Sequence, residues 1–555
     1  MSNQDQFVFL PLGGVGEIGM NLGMYGFGPA KKRSWIVVDF GLGFARESQP
    51  GVDLIFPDIS FLEAEKDNVL GIVLTHAHED HYGGLVDLWH RVGVPVYATP
   101  FTAAMLEAKL ASAPWAGKIP IKTISQTERW QLGPFDLEMV AVSHSIPEPN
   151  ALAIRTSVGT ALHTGDWKID PTPVVGDSMD VNRLQEIGEE GVLALICDST
   201  NAVREGVSPS EADVAAGLYE FIKDAPNRVA VTTFASNVAR MRTITESAQK
   251  AGRDVILVGR AMQRVATIAR DLGYFEGLKA FVSEDDFGYL PRDKVVVLCT
   301  GSQGEDRAAL ARISNGSHRS IKLVTGDRVI FSSRTIPGNE VSVNTVINSL
   351  CDQGLEVITD RDGLVHVSGH PRRGELVQMY DWIKPQVAIP AHGEPLHLTA
   401  HAELAKQQGV SNVVEVRNGA MALLGPGKAK VLEHIPAGRL YKDGKLVTEP
   451  DAGGVGERRK LSFAGMVSVS LVVSRQGEVI DEPAADLFGL PDFDDRGNDF
   501  EDIVLDAIDG VLDSMPAKRR KDPRQLEESI RRAIRGEVQN IWGKKPVCLV
   551  RVHVA

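Results

Sequence analysis

The sequence predicts a mixed α/β protein in which one domain is inserted into another, and three observations carry that expectation. Short β-rich runs alternate with turns from Phe7 to about Val203. Helical segments alternate with buried-looking strands from 208 to about 363, and strand, turn and ligand-like residues return at Val365–His370 and Val387–His392. A chain of 555 residues is too long for one core, so about three domains are expected.

In the first stretch the strands are Phe7–Leu10, Trp35–Val38, Leu137–Val142 and Leu193–Ile196, each apolar and bounded by turn formers. Ser208-Pro209-Ser210-Glu211-Ala212-Asp213 then reads as a helix N-terminus. Beyond it the apolar runs Val229–Thr232, Val255–Val258 and Val295–Leu298 alternate with helical segments, the βαβ pattern of a parallel sheet. Residues 208–363 are therefore expected to form the inserted domain, with 1–207 and 364–450 as the two parts of the domain that receives it. The turn Gly425-Pro426-Gly427 and the glycine-rich run at 450–456 bracket an expected linker. Residues 451–555 then read as a smaller α/β domain: a strand at Val467–Val473, an acidic helix from Asp499 to Asp513, a basic helix from Lys518 to Arg535 and a last strand at Val547–Val552.

Composition narrows the class. A hydrophobic content of 43% with 24% charged residues is that of an ordinary soluble protein. No run approaches the roughly 20 apolar residues of a membrane span, and the N-terminus lacks signal-peptide character, so a cytoplasmic protein without a membrane partner is expected. Cys197, Cys299, Cys351 and Cys548 form no Cys-x-x-Cys pair and are expected to be buried fillers. The net charge of −14 argues against general polyanion binding but leaves room for a local basic groove.

The chemistry lies in Thr75-His76-Ala77-His78-Glu79-Asp80-His81, directly after the apolar run Gly71-Ile72-Val73-Leu74. Imidazole and carboxylate suit zinc or a similar divalent ion, and a buried strand followed at once by ligands aims them rigidly. A zincin helix needs histidines four apart, whereas His81 lies three beyond His78, so His-x-His-x-Asp-His suits a loop feeding two adjacent ions. Further ligand types end other strands: His144, Asp166 and His392. With His76, His78, Asp80 and His81 they make seven, enough for two ions sharing Asp166. Two metals about 3.5–4 Å apart suit phosphodiester hydrolysis.

Gly14-x-Gly16-x-x-Gly19 with Asp39 some 20 residues on imitates a dinucleotide fingerprint. The glycines and proline in residues 20–34 deny it the helix N-terminus that holds a pyrophosphate, so a tight turn near the active site is expected instead. The turns Thr300-Gly301-Ser302-Gln303-Gly304-Glu305 and Val367-Ser368-Gly369-His370-Pro371-Arg372-Arg373 offer backbone N–H groups, hydroxyls and cations to an anion. Phe234-Ala235-Ser236-Asn237 offers an aromatic ring to stack a base, unless Phe234 is core.

Together these strings resemble a known family. His-x-His-x-Asp-His with a downstream histidine and aspartate resembles the metallo-β-lactamase fold, an αββα sandwich, and the insertion resembles its nucleic-acid-processing β-CASP branch. Gly13–Gly19, Thr164-Gly165-Asp166, Cys197–Asn201, Phe234–Asn237, His366–His370 and Ala391-His392-Gly393-Glu394 are similar to the bacterial ribonuclease J family across roughly 7–430.

The resemblance implies one ion on His76, His78 and His144, a second on Asp80, His81 and His392, and Asp166 between them. Zinc is the expected metal, with manganese the alternative. It implies catalytic roles for Asp80, Asp198 and His370, and RNA contacts at Phe234, Ser236, Asn237, Gly301, Ser302, His366, Val367, Ser368, Gly369 and His370. It further implies 5′-to-3′ exonuclease action on single-stranded RNA with a 5′-monophosphate, some endonuclease activity, and roles in mRNA decay and rRNA maturation. The expected assembly is a homodimer or homotetramer, with RNA-degradation proteins as further partners. The rivals are a small-molecule metallo-hydrolase, which needs neither the insertion nor Asp198 and His370, and a non-catalytic RNA-binding scaffold, which the full ligand set disfavours.

Overall fold

The computed structural model describes residues 4–111, 113, 115, 117–336 and 338–555. They form two compact units, 1–43 with 56–439 and 44–55 with 440–555.

The first unit is built on two large sheets. An eight-stranded sheet is centred on Gln6–Gly13, Leu22–Gly28, Ser34–Val38 and Val69–Val73; a seven-stranded one on Phe135–Ala141, Asn150–Thr156, Gly159–His163, Ala194–Asp198 and Val387–Ala391. Alternation along the strands decides which side chains meet. Phe7, Phe9, Ile36 and Val38 of one sheet share a buried core with Leu137, Met139, Leu152, Ile196 and Ile389 of the other. The intervening residues Val140, Ala153, Leu162, Leu195 and Ala388 point outward onto Leu184 and Ile187, Leu376, Met379 and Ile383, and Leu404 from three helices. Each such fully buried side chain contributes about 1.5–3 kcal/mol of transfer energy.

Ser210 caps the helix Glu211–Lys223 through a capping box with Asp213, so the helix start read from the sequence is present. The five strands that follow, in the order Asp254–Val258, Val295–Cys299, Val229–Thr232, Arg328–Phe331, Glu356–Ile358, are all parallel, as the βαβ pattern requires. Thr232, Cys299 and Phe331 pair across this sheet at its carboxyl edge, the side on which open α/β sheets bind ligands.

Several expectations are corrected. Val365–His370 is not a strand: the Val365 carbonyl accepts hydrogen bonds from side chains, Ser332 Oγ and Arg240 Nη1, instead of from a neighbouring strand. The expected linker at 428–449 contains strands. Gly425-Pro426-Gly427 closes a hairpin between Ala420–Gly425 and Lys430–His434, and Arg439–Asp443 pairs with Leu446–Thr448. The second compact unit spans Leu440–Ala555 and draws in 44–55, where Gln49 Nε2 donates to the Tyr441 hydroxyl at 2.8 Å. The predicted basic helix is two, Ala517–Arg520 and Pro523–Trp542, because Asp522 caps a new start before the proline. Cys197 and Cys299 are buried as expected, but Cys351 is exposed and Cys548 only partly covered.

In the second unit, Val479–Phe488, Met466–Val473 and Val547–Val554 form a three-stranded sheet. Val467, Val469, Leu471 and Val550 bury one face against Val504, Ile508, Ile530 and Ile534 of two helices. The other face leaves Phe488, Val547 and Leu549 exposed. No helix among the described residues is long and apolar enough to cross a membrane.

Candidate metal centre

The strand Val69–Val73 lies between two parallel neighbours, Ser34–Val38 and Val96–Ala98, so its exit is rigid. It delivers Thr75, His76 and His78, after which the expected loop gives way to one helical turn, Glu79–Tyr82, that swings Asp80 and His81 back towards His76. The turn packs closely on residue 41: a Cβ on Gly41 would lie 1.8 Å from the Asp80 carbonyl oxygen, so only glycine fits. Asp166, Asp198 and His392 leave the ends of adjacent parallel strands, and His144 follows a strand running the same way. One rim of the sandwich therefore collects every predicted ligand.

The ligand atoms form three groups, each within 4.8 Å: His76, His78, His144 and Asp166; Asp80, His81, Asp166 and His392; and Asp166, Asp198 and His370. His78 Nδ1 lies 3.0 Å from His76 Nε2 and 3.1 Å from His144 Nε2. Asp166 Oδ2 stands 3.8 Å from His76 Nε2, 3.7 Å from His144 Nε2 and 3.2 Å from His81 Nε2, and Asp166 Oδ1 is 2.8 Å from His392 Nδ1.

Outer partners fix the rings. His81 Nδ1 donates to Asp39 Oδ2 at 2.6 Å and His144 Nδ1 to the Gly369 carbonyl at 2.6 Å, which turns each Nε2 inward towards Asp166. A Cβ on Gly369 would come within 2.5 Å of the His144 ring, so that close approach again needs glycine.

Burial, reinforced by neighbouring imidazoles and only partly opposed by Asp166, holds His76 and His144 well below the usual histidine range. His78 is pushed down to about 3, chiefly by burial. These three are neutral at pH 7, the form that ligates a metal. Burial also works against protonation of His370, but the Asp198 and Asp166 carboxylates outweigh it and raise that group to about 9.

The donor set fits divalent cations. Converging imidazole nitrogens face two carboxylates, and the buried His392 Nε2, 3.8 Å from Asp80 Oδ2, makes no hydrogen bond. Such a group is satisfied when it coordinates an ion.

Three supporting residues escaped the sequence reading. Asp39, noted there only as part of the dinucleotide imitation, accepts from Thr75 N at 2.8 Å and from His81. Its placement at the end of the strand beside the one that feeds His76 was the available signal. Thr75 Oγ1 lies 3.0 Å from His76 Nδ1. Asn21 Nδ2 reaches the Asp80 carbonyl at 3.0 Å, and no local pattern marks it. Gly14 and Val15, which open the irregular segment 14–19, line the same cavity as His81, Asp166 and His392, so the segment lies near the active site as expected.

The predicted RNA-contacting residues gather at the carboxyl edge of the inserted sheet. Thr233 N donates to the Cys299 carbonyl, Thr233 Oγ1 to that of Ser332, and Ser332 Oγ to that of Val365, so the turns at 234–237 and 301–302 share this edge with 365–370. Phe234 and Ser236 are half-buried rather than core. Asn237 is buried and its side chain caps the next helix, and Ser302 is 2% exposed.

Paired sheets with a histidine–aspartate rim and an α/β insertion beside it define a metal-dependent hydrolase of the metallo-β-lactamase fold. Family models agree segment by segment: a beta-lactamase superfamily domain over 34–181, the beta-CASP domain of ribonuclease J over 226–350, a Zn-dependent metallo-hydrolase RNA specificity domain over 354–416, and the ribonuclease J C-terminal domain over 453–554. A ribonuclease J of Sinorhizobium meliloti is 55% identical over 99% of this chain and 98% of its own length. Others from Corynebacterium glutamicum (38% identity, 98% of this chain, 75% of its own) and Mycobacterium tuberculosis (36%, 98% and 96%) are also similar. A crystal structure of a protein of unknown function from Enterococcus faecalis shares the fold, with a TM-score of 0.51 at 17% identity over 79% of this chain and 100% of that one. The chain belongs to the ribonuclease J family.

Proposed function

We propose that this metal-dependent ribonuclease degrades single-stranded RNA from the 5′ end, prefers a 5′-monophosphate, and retains some endonucleolytic capacity. In this reading His76, His78 and His144 hold one divalent ion, Asp80, His81 and His392 the second, and Asp166 serves both. Zinc suits the imidazole-rich set best, with manganese the alternative. Two such ions supply Lewis acidity, which lowers the pKa of water and offsets charge on the phosphodiester.

The observation that carries the reading is the pair formed by His370 and Asp198. His370 Nδ1 sits 2.8 Å from Asp198 Oδ2 and 3.8 Å from Asp166 Oδ2, at the end of the segment that runs along the inserted sheet's carboxyl edge. Asp198 orients the ring and favours its protonated form, so His370 can give a proton to the departing 3′-oxygen. Phe234 stacks the first base. The 5′-phosphate accepts hydrogen bonds from Ser236, from the 301–302 and 368–370 backbone and from Ser368, while Asn237 acts by holding its turn. His366, kept neutral by burial and by the charges of Arg240, Arg334 and Lys168, can donate one N–H to the same group.

A monophosphate fits such a turn, whereas a triphosphate brings more bulk and charge. RNA with a 5′-monophosphate should be degraded about tenfold faster than its triphosphorylated counterpart, equivalent to ~1.4 kcal/mol of differential binding. Equal exonucleolytic rates on two RNAs of one sequence would remove the end-sensing pocket. In the cell the reading places the enzyme in the cytoplasm, in mRNA decay and rRNA maturation and in contact with other RNA-degradation proteins.

We propose further that it is a homodimer or homotetramer assembled through its C-terminal unit, whose sheet leaves Phe488, Val547 and Leu549 exposed. Val547→Glu with Leu549→Glu leaves the buried face of that sheet intact, so light scattering should report a smaller particle. An unchanged mass would place the association surface elsewhere.

A further inference from the structure

Arg240 is fully buried in the helix Val238–Lys250, at the centre of the inserted domain. A guanidinium there is costly unless its donors are used. Nε and Nη2 bind Glu211 at 2.5 and 2.9 Å, and Nη1 reaches Ser332 Oγ at 2.7 Å and the Val365 carbonyl at 3.1 Å. Nη1 also lies 3.4 Å from His366 Nδ1. One side chain thus joins the helix that opens the insertion, the end of the strand Arg328–Phe331 and the segment that leads back to the metal centre.

The first half of that returning segment buries Val365 and Val367, and its link to the inserted sheet runs through side chains. Its second half is fixed by Asn201 Nδ2, which donates to Ser368 Oγ at 2.9 Å and to the His370 carbonyl at 3.1 Å. Upstream, the hydrogen bonds to Val365 come from Arg240 and from Ser332, which Arg240 itself holds. Two further links tie Arg240 into its surroundings. Its own backbone N–H is capped by Asn237 at 2.8 Å, at the turn assigned to RNA. Glu211 N donates to Asp170 Oδ2 at 3.0 Å, Asp170 pairs with Lys168 at 2.7 Å, and Lys168 N donates to the Ser143 carbonyl at 2.7 Å, next to His144.

We propose that Arg240 is a positioning residue: it fixes the 365–370 segment against the inserted sheet so that His370 faces the scissile linkage, and it joins the RNA-holding turn at 234–237 to the leaving-group side of the site. The inference rests on the reading that His370 protonates the departing oxygen. Arg240 touches no substrate; it acts through the backbone that carries His370.

A leaving group that needs no proton separates this role from a general structural one. Two 5′-monophosphorylated RNAs of one sequence are compared, one unmodified and one with sulfur replacing the bridging 3′-oxygen at the first linkage, since a thiolate departs without protonation. Arg240→Met is combined with Glu211→Gln so that no charge is left buried alone. Ser332→Ala, which removes only the companion hydrogen bonds, serves as the milder variant should the first not fold.

On ordinary RNA, kcat should fall about tenfold in the double variant and about threefold in Ser332→Ala, with KM nearly unchanged. Bound metal measured by elemental analysis should be unaltered. On the sulfur-bridged RNA both should return to within about twofold of the parent, the pattern of an interaction made only at the leaving group. Equal losses on both RNAs, or loss of metal, would overturn the proposal. His370→Ala run alongside separates the two ideas. If it recovers on the sulfur substrate while the Arg240 and Ser332 variants do not, only the positioning role falls. If His370→Ala does not recover, the leaving-group reading falls and takes the proposal with it.

Discussion

Alanine at Asp80 or His81 is expected to reduce RNA cleavage to background while the protein stays folded. Both side chains sit on the single helical turn Glu79–Tyr82. The sheet beneath is held by backbone pairing of Val69–Val73 with Ser34–Val38 and Val96–Ala98, to which neither side chain contributes. What is lost is an ion ligand. Elemental analysis should show the position served by Asp80, His81 and His392 depleted, with the thermal unfolding midpoint little changed. Asp39→Ala should be milder, because Asp39 only orients His81 through the 2.6 Å hydrogen bond; removing such an outer partner costs about 10–100-fold in metal affinity or activity. Full metal content and parental turnover in the Asp80 and His81 variants would show the two-ion assignment to be wrong.

His370→Ala should behave differently, keeping its metal but slowing hydrolysis by about 10²-fold or more, the usual scale for a lost acid–base group. Asp198→Asn should act in the same direction and add a pH signature. In the parent, Asp198 and Asp166 together lift His370 to about 9 against the effect of burial. Without the Asp198 charge the folded-state value drops, so the proton is lost at lower pH and the alkaline limb of the pH–rate profile moves down. A profile that stays in place, or metal loss from the His370 variant, would take that residue out of proton transfer and into coordination.

The seven ligand candidates were legible because each follows its strand within a few residues, and strands are written locally by apolar, β-branched runs. Capping did the same for the helix at Ser210, where donor and acceptor are three residues apart. Elsewhere local signals misled. Val365–His370 reads as a strand by composition, yet its partners are side chains. The turns of the strand pair at 439–448 imitated a linker, although Asp53 N donates to the Lys442 carbonyl at 2.8 Å and brings 44–55 into the second unit.

By itself the sequence determined the α/β class, the parallel sheet of the insertion and which seven side chains meet at one rim of the sandwich, since periodicity, caps and strand-end residues act over distances the local chain controls. Only the tertiary structure decided that Asp39 orients His81, that the Gly369 carbonyl holds His144, that Asn21 steadies the Asp80 turn and that Arg240 anchors the approach to His370. Each of these is the satisfaction of a buried polar group by a partner distant in sequence. Burial makes such partnering obligatory, but which partner arrives depends on how the loops close, and no local pattern of residues encodes that.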